Sequence, residues 1–447
     1  MTDRPATVEK LGIEHVPDEE RHGSPGRVLT LWFAANLTVA DYVIGVLCVQ
    51  DFGLTVSQAL PVLLLGNLLG GLVLGLSAAM GPKLGFPQML SSRGSYGRRG
   101  NYPFGGLNWI STVGWFAVNT ILGVEALQAV FPNVNFYGAA VVLVTVQVVI
   151  AVYGHDFIHL LEKVMSLILG LLFLGVFLIT IPKLGVAFSF VPSGASAGWP
   201  ALGAVGVVLA ASFSYLMSWS PYASDYSRYL PSSVSGKRVA FFALIGGAAA
   251  SFSVEAIGVL VGSLTPSIGF FQALDSFSGW FGPFAIVAIV LGALAANELN
   301  LYTNALSALV LDVRVKRWVA VVVGGFVGLS LSIIGSANFV LNFQNFLFVL
   351  DYWITPWLGI VLVDYYIAKR TTVESCANPR PSDSKALLAY ASALIISVPF
   401  MVPALNLGFP FGSLAYLFGG ADFSYFVSFA VACVLIYLIR RRSRQGP

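Results

Sequence analysis

The sequence predicts an all-α polytopic membrane protein with twelve transmembrane helices, and three observations carry that reading. The first is composition. Of 447 residues, 57% are hydrophobic and only 10% charged, with 46 glycines and a mean hydropathy of +0.82. Soluble domains carry about 25% charged residues. The second is a series of apolar runs long enough to cross a hydrocarbon core of about 30 Å. The third is how the basic residues sort between those runs.

The runs lie near 29–50, 58–81, 105–130, 137–155, 164–184, 201–222, 239–263, 281–311, 318–336, 343–366, 386–404 and 421–439, taken in order as spans 1 to 12. With the N-terminus inside, every Lys and Arg except Lys183 falls in a cytoplasmic segment. A wrong span count would scramble this sorting. Residues 1–28 are polar (Glu9, Glu14, Asp18, Glu19, Glu20, Arg21), lack the apolar core of a signal peptide, and are expected to form a cytosolic tail. Residues 440–447 form a basic cytosolic tail at the other terminus. The expected location is the plasma or inner cell membrane, crossed many times.

Two connections stand out. Residues 81–104 (GPKLGFPQMLSSRGSYGRRGNYPF) read either as an ordinary cytoplasmic loop or as a structured gate element. Residues 265–279 are amphipathic but too short to span, and are expected to lie along the outer mouth as a lid. Cys48, Cys376 and Cys433 have no metal or disulfide spacing and read as packing residues.

Secondary carriers are often built from inverted repeats with sites at broken helices near the midplane. Span 1 (WFAANLTVAD, 32–41) and span 6 (ASFSYLMSWSP, 211–221) both carry the chemistry a break needs. Pro221 removes a backbone donor, and the serines and Asn36 offer partners for freed backbone groups. The expected organisation is a first repeat over 29–184, a second over 185–366, a cytosolic loop over 367–385 and two further spans within 386–439. Spans 3 and 8 then occupy equivalent positions.

The most informative stretch is 295–304 (AANELNLYTN), in the middle of span 8. Hydrocarbon satisfies neither its carboxyl nor its three amides, so they are expected to face the bundle interior. Asn297 and Asn300, three apart, share a helix face. Each amide offers a donor and an acceptor, as the edge of a cytosine, uracil or purine requires. In span 3, Trp115 and Asn119 are four apart and also share a face, which sets a stacking plane beside an amide. The plainer alternatives are packing and interhelical hydrogen bonding. Glu298 lies about 100° round the helix from Asn297; its readings are proton carrier, partner of a neighbouring helix, or ligand contact. Asp41, just after the presumed break in span 1, is a second proton-site candidate, and Asn36 and Thr38 are further cation candidates. Glu125 and Glu255 are the other intramembrane acids noted. Asp225 and Arg228, at the inner end of span 6, form either a helix-end pair or an inner gate.

Taken together, these residues resemble the nucleobase:cation symporter-1 family of purine–cytosine permeases and their hydantoin and allantoin relatives. The likeness runs through the acidic tail, the twelve spans and RGSYGRRG (93–100). It continues through GWFAVN (114–119), WSPYASDY (219–226) and NELNLY (297–302). It implies a five-plus-five inverted-repeat core like that of leucine/sodium symporters, with two peripheral helices. It also implies substrate held between Trp115 and a span 6 aromatic, here Trp219, with edge contacts from Asn119, Asn297 and Asn300. Sodium-coupled members place Ser/Thr hydroxyls just before the first asparagine of span 8. Here Ala295 and Ala296 offer no oxygen to a hard cation, which favours protons, although Thr38, Thr303 and Asn304 remain as oxygen donors. Proton-coupled members usually lack an acid at the position of Glu298.

The expected function is uptake of a planar nucleobase by proton symport through alternating access. Sodium-coupled uptake of allantoin, a hydantoin, uracil or a thiamine-related pyrimidine is the alternative. An enzyme lacks material: the four histidines (His15, His22, His155, His159) avoid span centres, and no metal cluster or nucleophile elbow is visible. A channel needs repeated polar rings, and a primary pump needs a phosphate-binding loop. No cofactor beyond H⁺ or Na⁺, no metal and no nucleic acid partner are expected, and the expected state is a monomer.

Overall fold

The computed structural model describes residues 9, 11–192, 199–266, 268–337, 339–402 and 409–445, and has no strand among them. Ten helices are long and apolar enough to cross a bilayer, and Gly26–Ala35 with Val39–Gln50 adds a crossing bent by 55°. Ser384–Phe400 is apolar but shorter, and stands where span 11 is expected. Each predicted span has a helix in its place. The count of twelve is compatible with these helices, with span 11 the short one.

The largest boundary shift is in span 5, predicted from 164 but beginning at His155. The polar run His155 to Glu162 reads as loop by hydropathy. Its buried residues, His155, Ile158, His159 and Glu162, fall on one helical face with Asp156, Leu160 and Lys163 outside it. The loop of 81–104 is structured. It folds into three one-turn helices, Gly81–Leu84, Gln88–Ser91 and Arg93–Tyr96, most of whose residues are buried. Residues 270–278 form the short helix Phe270–Ser278. The solitary Lys183 sits 4.1 Å over the ring of Phe277 in that helix.

Both expected breaks are present. Span 1 stops at Ala35 and restarts at Val39, and Asn36 bridges the gap. Its Nδ2 donates to the freed carbonyl of Trp32 (2.7 Å) and its Oδ1 accepts from Trp219 Nε1 (3.0 Å). In span 6 the helix Trp199–Met217 gives way to the 3₁₀ turn Ser220–Tyr222 and resumes as Ala223–Ser227. Pro221, with no N–H, stands within that turn.

Spans 3 (Tyr102–Val130) and 8 (Gly282–Val310) run antiparallel along a polar seam. Asn108 Nδ2 donates to Ser307 Oγ (2.9 Å), and Asn304 Nδ2 to Trp109 O (3.0 Å) and Thr112 Oγ1 (2.9 Å). Further along, Asn297 Nδ2 donates to Phe116 O (3.0 Å) and Thr120 Oγ1 (3.1 Å). Each interhelical bond of this kind contributes about 0.6 kcal/mol in a membrane protein. Their number fixes the register that aligns Trp115 and Asn119 with Asn297.

Contacts gather the basic segments at one end of the bundle. Arg21 reaches Pro82 O (2.8 Å), Lys83 reaches Ser232 O (2.7 Å), Arg317 reaches Val152 O (2.7 Å) and Arg440 reaches Ser95 O (3.5 Å).

Candidate functional site

Midway along the seam, Asn119 Nδ2 donates to Asn297 Oδ1 (3.2 Å), which also accepts from Asn300 Nδ2 (3.4 Å). Tyr222, in the span 6 break, donates to Asn300 Oδ1 (3.4 Å). One buried chain of polar groups therefore runs from span 3 across span 8 to the break. Three nearby atoms have no partner among the described residues: Asn119 Oδ1, Trp115 Nε1 and Ser220 Oγ. A buried unmet donor or acceptor costs about 1–3 kcal/mol, so such atoms mark candidate places for a ligand or water.

Trp115 is enclosed by rings. Tyr215 stands edge-on at 5.3 Å, Phe346 at 5.3 Å and Phe343 at 6.2 Å. The span 6 ring against Trp115 is thus Tyr215. Trp219 lies about one helical turn further on, edge-on to Trp32 (5.4 Å) and Tyr222 (5.2 Å), with its N–H taken by Asn36. A small cavity of about 40 Å³ lies beside this cluster, lined by Ile44, Leu47, Ala210, Phe343 and Asp351 among others.

The cation candidates are mostly engaged. Thr38 Oγ1 pairs with Tyr215 OH (2.7 Å) and donates to Asp41 Oδ2 (3.2 Å). Thr303 Oγ1 donates to Asp225 Oδ2 (2.8 Å), and Asn304 donates within the seam. Ala295 and Ala296 are buried and carry methyl groups only. Glu298 turns away from the amide chain and meets Glu162 of span 5, the two carboxyls within hydrogen-bonding reach of each other.

Asp225 and Arg228 form no ion pair with each other among the described residues, so the helix-end pair is not what the structure holds. Asp225 instead accepts from the backbone N–H of Gln88 (2.8 Å) and from Thr303, tying the 81–104 segment to span 8. Arg228 donates to Gly12 O (2.9 Å), Tyr302 OH (3.1 Å) and Glu9 Oε1 (3.4 Å). Glu9 also accepts from Tyr229, from Tyr302 (2.9 Å) and from the backbone of His155 (3.0 Å). The N-terminal segment thereby straps spans 4, 5, 6, 8 and 9 together at the basic end.

Two titrating groups outside the spans tighten this end. Burial works against ionisation of Asp312, but Arg98, Tyr102 and Arg93 outweigh it and hold the carboxyl well below the usual carboxylate range. His22 is raised above its ordinary 6.5, chiefly by its bond to Asp156 (2.8 Å). His22, His155 and Asp156 offer ligand atoms within 4.8 Å of one another, a grouping whose ends lie 134 residues apart and that spacing conceals. They are already bonded to one another and to the carbonyls of Glu20 and Tyr226.

Three buried polar groups escape a reading from sequence. Glu162 falls in an expected loop. Asp351 is an acid inside span 10, and Asn67 of span 2 bonds Glu255 and Ser212. Asp351 and Asn67 could have been found by the rule that singled out span 8.

A family described as a permease for cytosine/purines, uracil, thiamine and allantoin matches residues 15–428. The chain belongs to this permease family. It is accordingly a membrane transporter and not an enzyme. A putative purine-cytosine permease of Bacillus subtilis is 30% identical to the permease described here over 98% of each chain. A purine-cytosine permease of Emericella nidulans is 26% identical over 97% of this chain and 88% of the relative. Among solved structures, a nucleobase-cation-symport-1 family transporter in a closed conformation with bromovinylhydantoin bound has the same fold. Its TM-score is 0.79 at 19% identity, over 99% of this chain and 96% of that one.

Proposed function

We propose that this permease imports a planar nucleobase of the cytosine or purine type, driven by proton symport. The observation that carries the substrate class is the amide chain Asn119–Asn297–Asn300 beside Trp115, with Asn119 Oδ1 and Trp115 Nε1 unmet. A flat heterocycle bearing adjacent N–H and C=O groups is complementary to that edge and to the tryptophan face. The rings available for the other face are Tyr215 and the span 10 phenylalanines, with Trp219 setting the shape of the break. The relatives named as purine-cytosine permeases support the same class.

Protons are favoured over sodium because Ala295 and Ala296 offer no oxygen to a hard cation and Thr38 and Thr303 already bond within the protein, which leaves Asn304 Oδ1 as the oxygen without a partner among the described residues. The reading includes a cell membrane location with both termini and the basic end in the cytosol, a monomer, and two five-span repeats. Substrate and proton enter from outside, the bundle closes over them, and both leave when the basic end opens. A ligand acts on this equilibrium only through its differential affinity for the two states.

The experiment is uptake of radiolabelled cytosine, adenine, uracil and allantoin into proteoliposomes with an imposed pH or sodium gradient. Cytosine or adenine accumulation that a protonophore abolishes, and that sodium does not restore, is the expected result. W115A and N300A should each lose binding in a thermal-shift assay. Unchanged binding in both overturns the site.

A further inference from the structure

Glu162 and Glu298 face each other inside the bundle, the first from span 5 and the second from span 8. Both side chains are 0% exposed, and none of their four carboxyl oxygens meets a donor among the described residues. Among the other buried acids, Asp351 of span 10 also has both oxygens without a partner among the described residues, but it stands alone and not against a second carboxyl, and the rest differ. Asp225 has Gln88 and Thr303, Glu255 has Asn67 and Ser212, Asp41 has Thr38, and Asp364 has Arg440 at 2.9 Å. On the elements packed against the pair, Arg27 of span 1 acts on His159, one turn from Glu162, and Glu255 of span 7 is already engaged. Among the described residues, no cationic side chain bonds or pairs with either carboxyl.

An ionised carboxylate only accepts hydrogen bonds. Two carboxyls in contact with no donor between them are bonded only if one carries a proton. With both ionised, two like charges would sit unpaired in a medium that penalises even one. The pair also lies between two working parts of the protein. Asn297, next to Glu298, belongs to the amide chain, and the carbonyl of Leu299 accepts from Tyr226 (2.7 Å), which belongs to the inner end of span 6.

We propose that Glu162 and Glu298 share a single proton and together form the coupling site of the permease, which deepens the proton-symport reading and rests on it. One proton per substrate is held while spans 5 and 8 stay in contact. When the basic end opens, water reaches the pair and the proton leaves to the cytosol. The emptied pair carries two negative charges and is stable only in a state that solvates them.

The test uses E162Q and E298Q in proteoliposomes. Glutamine keeps the shape and can hydrogen-bond to the remaining carboxyl. Each variant should retain exchange of radiolabelled cytosine across equilibrated membranes within about 3-fold of wild type. Each should lose at least 10-fold in uphill accumulation driven by a pH gradient, and should lose proton co-flux read by an internal pH dye. Gradient-driven accumulation or co-flux within 2-fold of wild type in both variants overturns the proposal. Wild type separates the two levels: absence of cytosine binding or of proton co-flux by wild type sinks the proposed function, whereas wild-type co-flux that both variants keep sinks the pair alone. If the glutamine variants do not fold, infrared difference spectra of wild type decide. A protonated-carboxyl carbonyl band that changes with pH supports the shared proton, and its absence overturns it.

Discussion

The middle of the bundle and its basic end are both dense in buried polar groups, but they are satisfied differently. At the basic end every central carboxylate is bonded by several donors, and the atoms left unmet are single guanidinium nitrogens such as Arg93 Nε, Arg228 Nε and Arg317 Nε. Glu9 gathers Arg228, Tyr229 and Tyr302, Asp312 gathers Arg93, Arg98 and Tyr102, and Arg440 spans Asp364 and Asp383. At the middle, Asn119, Trp115 and Ser220 keep unmet atoms, and Glu162 and Glu298 meet only each other. Closed networks suit a seal that must hold and then release as a unit. Open valences suit groups whose partner arrives from outside the chain.

Breaking the middle should have the largest effect. Asn297→Ala removes the hub of the amide chain and should weaken substrate binding on the order of 10- to 100-fold, because a lost partner leaves buried groups costing about 1–3 kcal/mol. Asn304→Ala cuts the same seam nearer the basic end and should leave affinity within about 2-fold while lowering the melting temperature. Equal affinity losses in the two would erase the distinction between reader and scaffold. Breaking the seal comes next. Glu9→Gln weakens charge-assisted bonds of about 1.5–3 kcal/mol. It should raise maleimide labelling of S307C, in a background without Cys48, Cys376 and Cys433, by about 10-fold. Unchanged labelling means the strap is not part of the seal.

The smallest effects are those of pH at the strap. His22 is raised by its partner, so its contribution is complete below about 6.5 and fades as pH rises through the higher folded value. Asp312 is lowered, so its contribution is present above the ordinary carboxylate range and is lost only in strong acid. Between pH 6 and 9 any loosening of the strap should therefore follow His22, and H22Q should flatten it. Asp312→Asn should cost at most about 1 kcal/mol at every pH in that window, as expected of a partly exposed cluster.

Most of the fold was legible because the bilayer imposes a length and an orientation on every apolar run. The breaks were legible because Asn36 and Pro221 are out of place in continuous membrane helices. Glu162 was not, since a helix that begins with His155, Asp156, His159 and Glu162 looks like a loop until its neighbours reveal a buried face. Likewise Asp225 and Arg228, close in sequence, were natural partners on paper. Only the packing of residues 9–14 and 81–104 against them draws the two apart. The preference for Trp219 as the stacking ring came from resemblance, and the contact of Tyr215 with Trp115 is a property of three dimensions.

The elbow in span 1 looks like a joint, but its forearm is clamped along span 7. A Cβ at Gly45 would collide with the backbone of Glu255, and one at Gly258 with the carbonyl of Tyr42. Its upper arm is held the same way, with Gly246 against the backbone of Leu29. Both arms thus lie at backbone distance on a single uninterrupted helix, Gly236–Leu264. Flexing the elbow would peel one of them off, so whatever rocks during the cycle carries the bend along as a rigid crank.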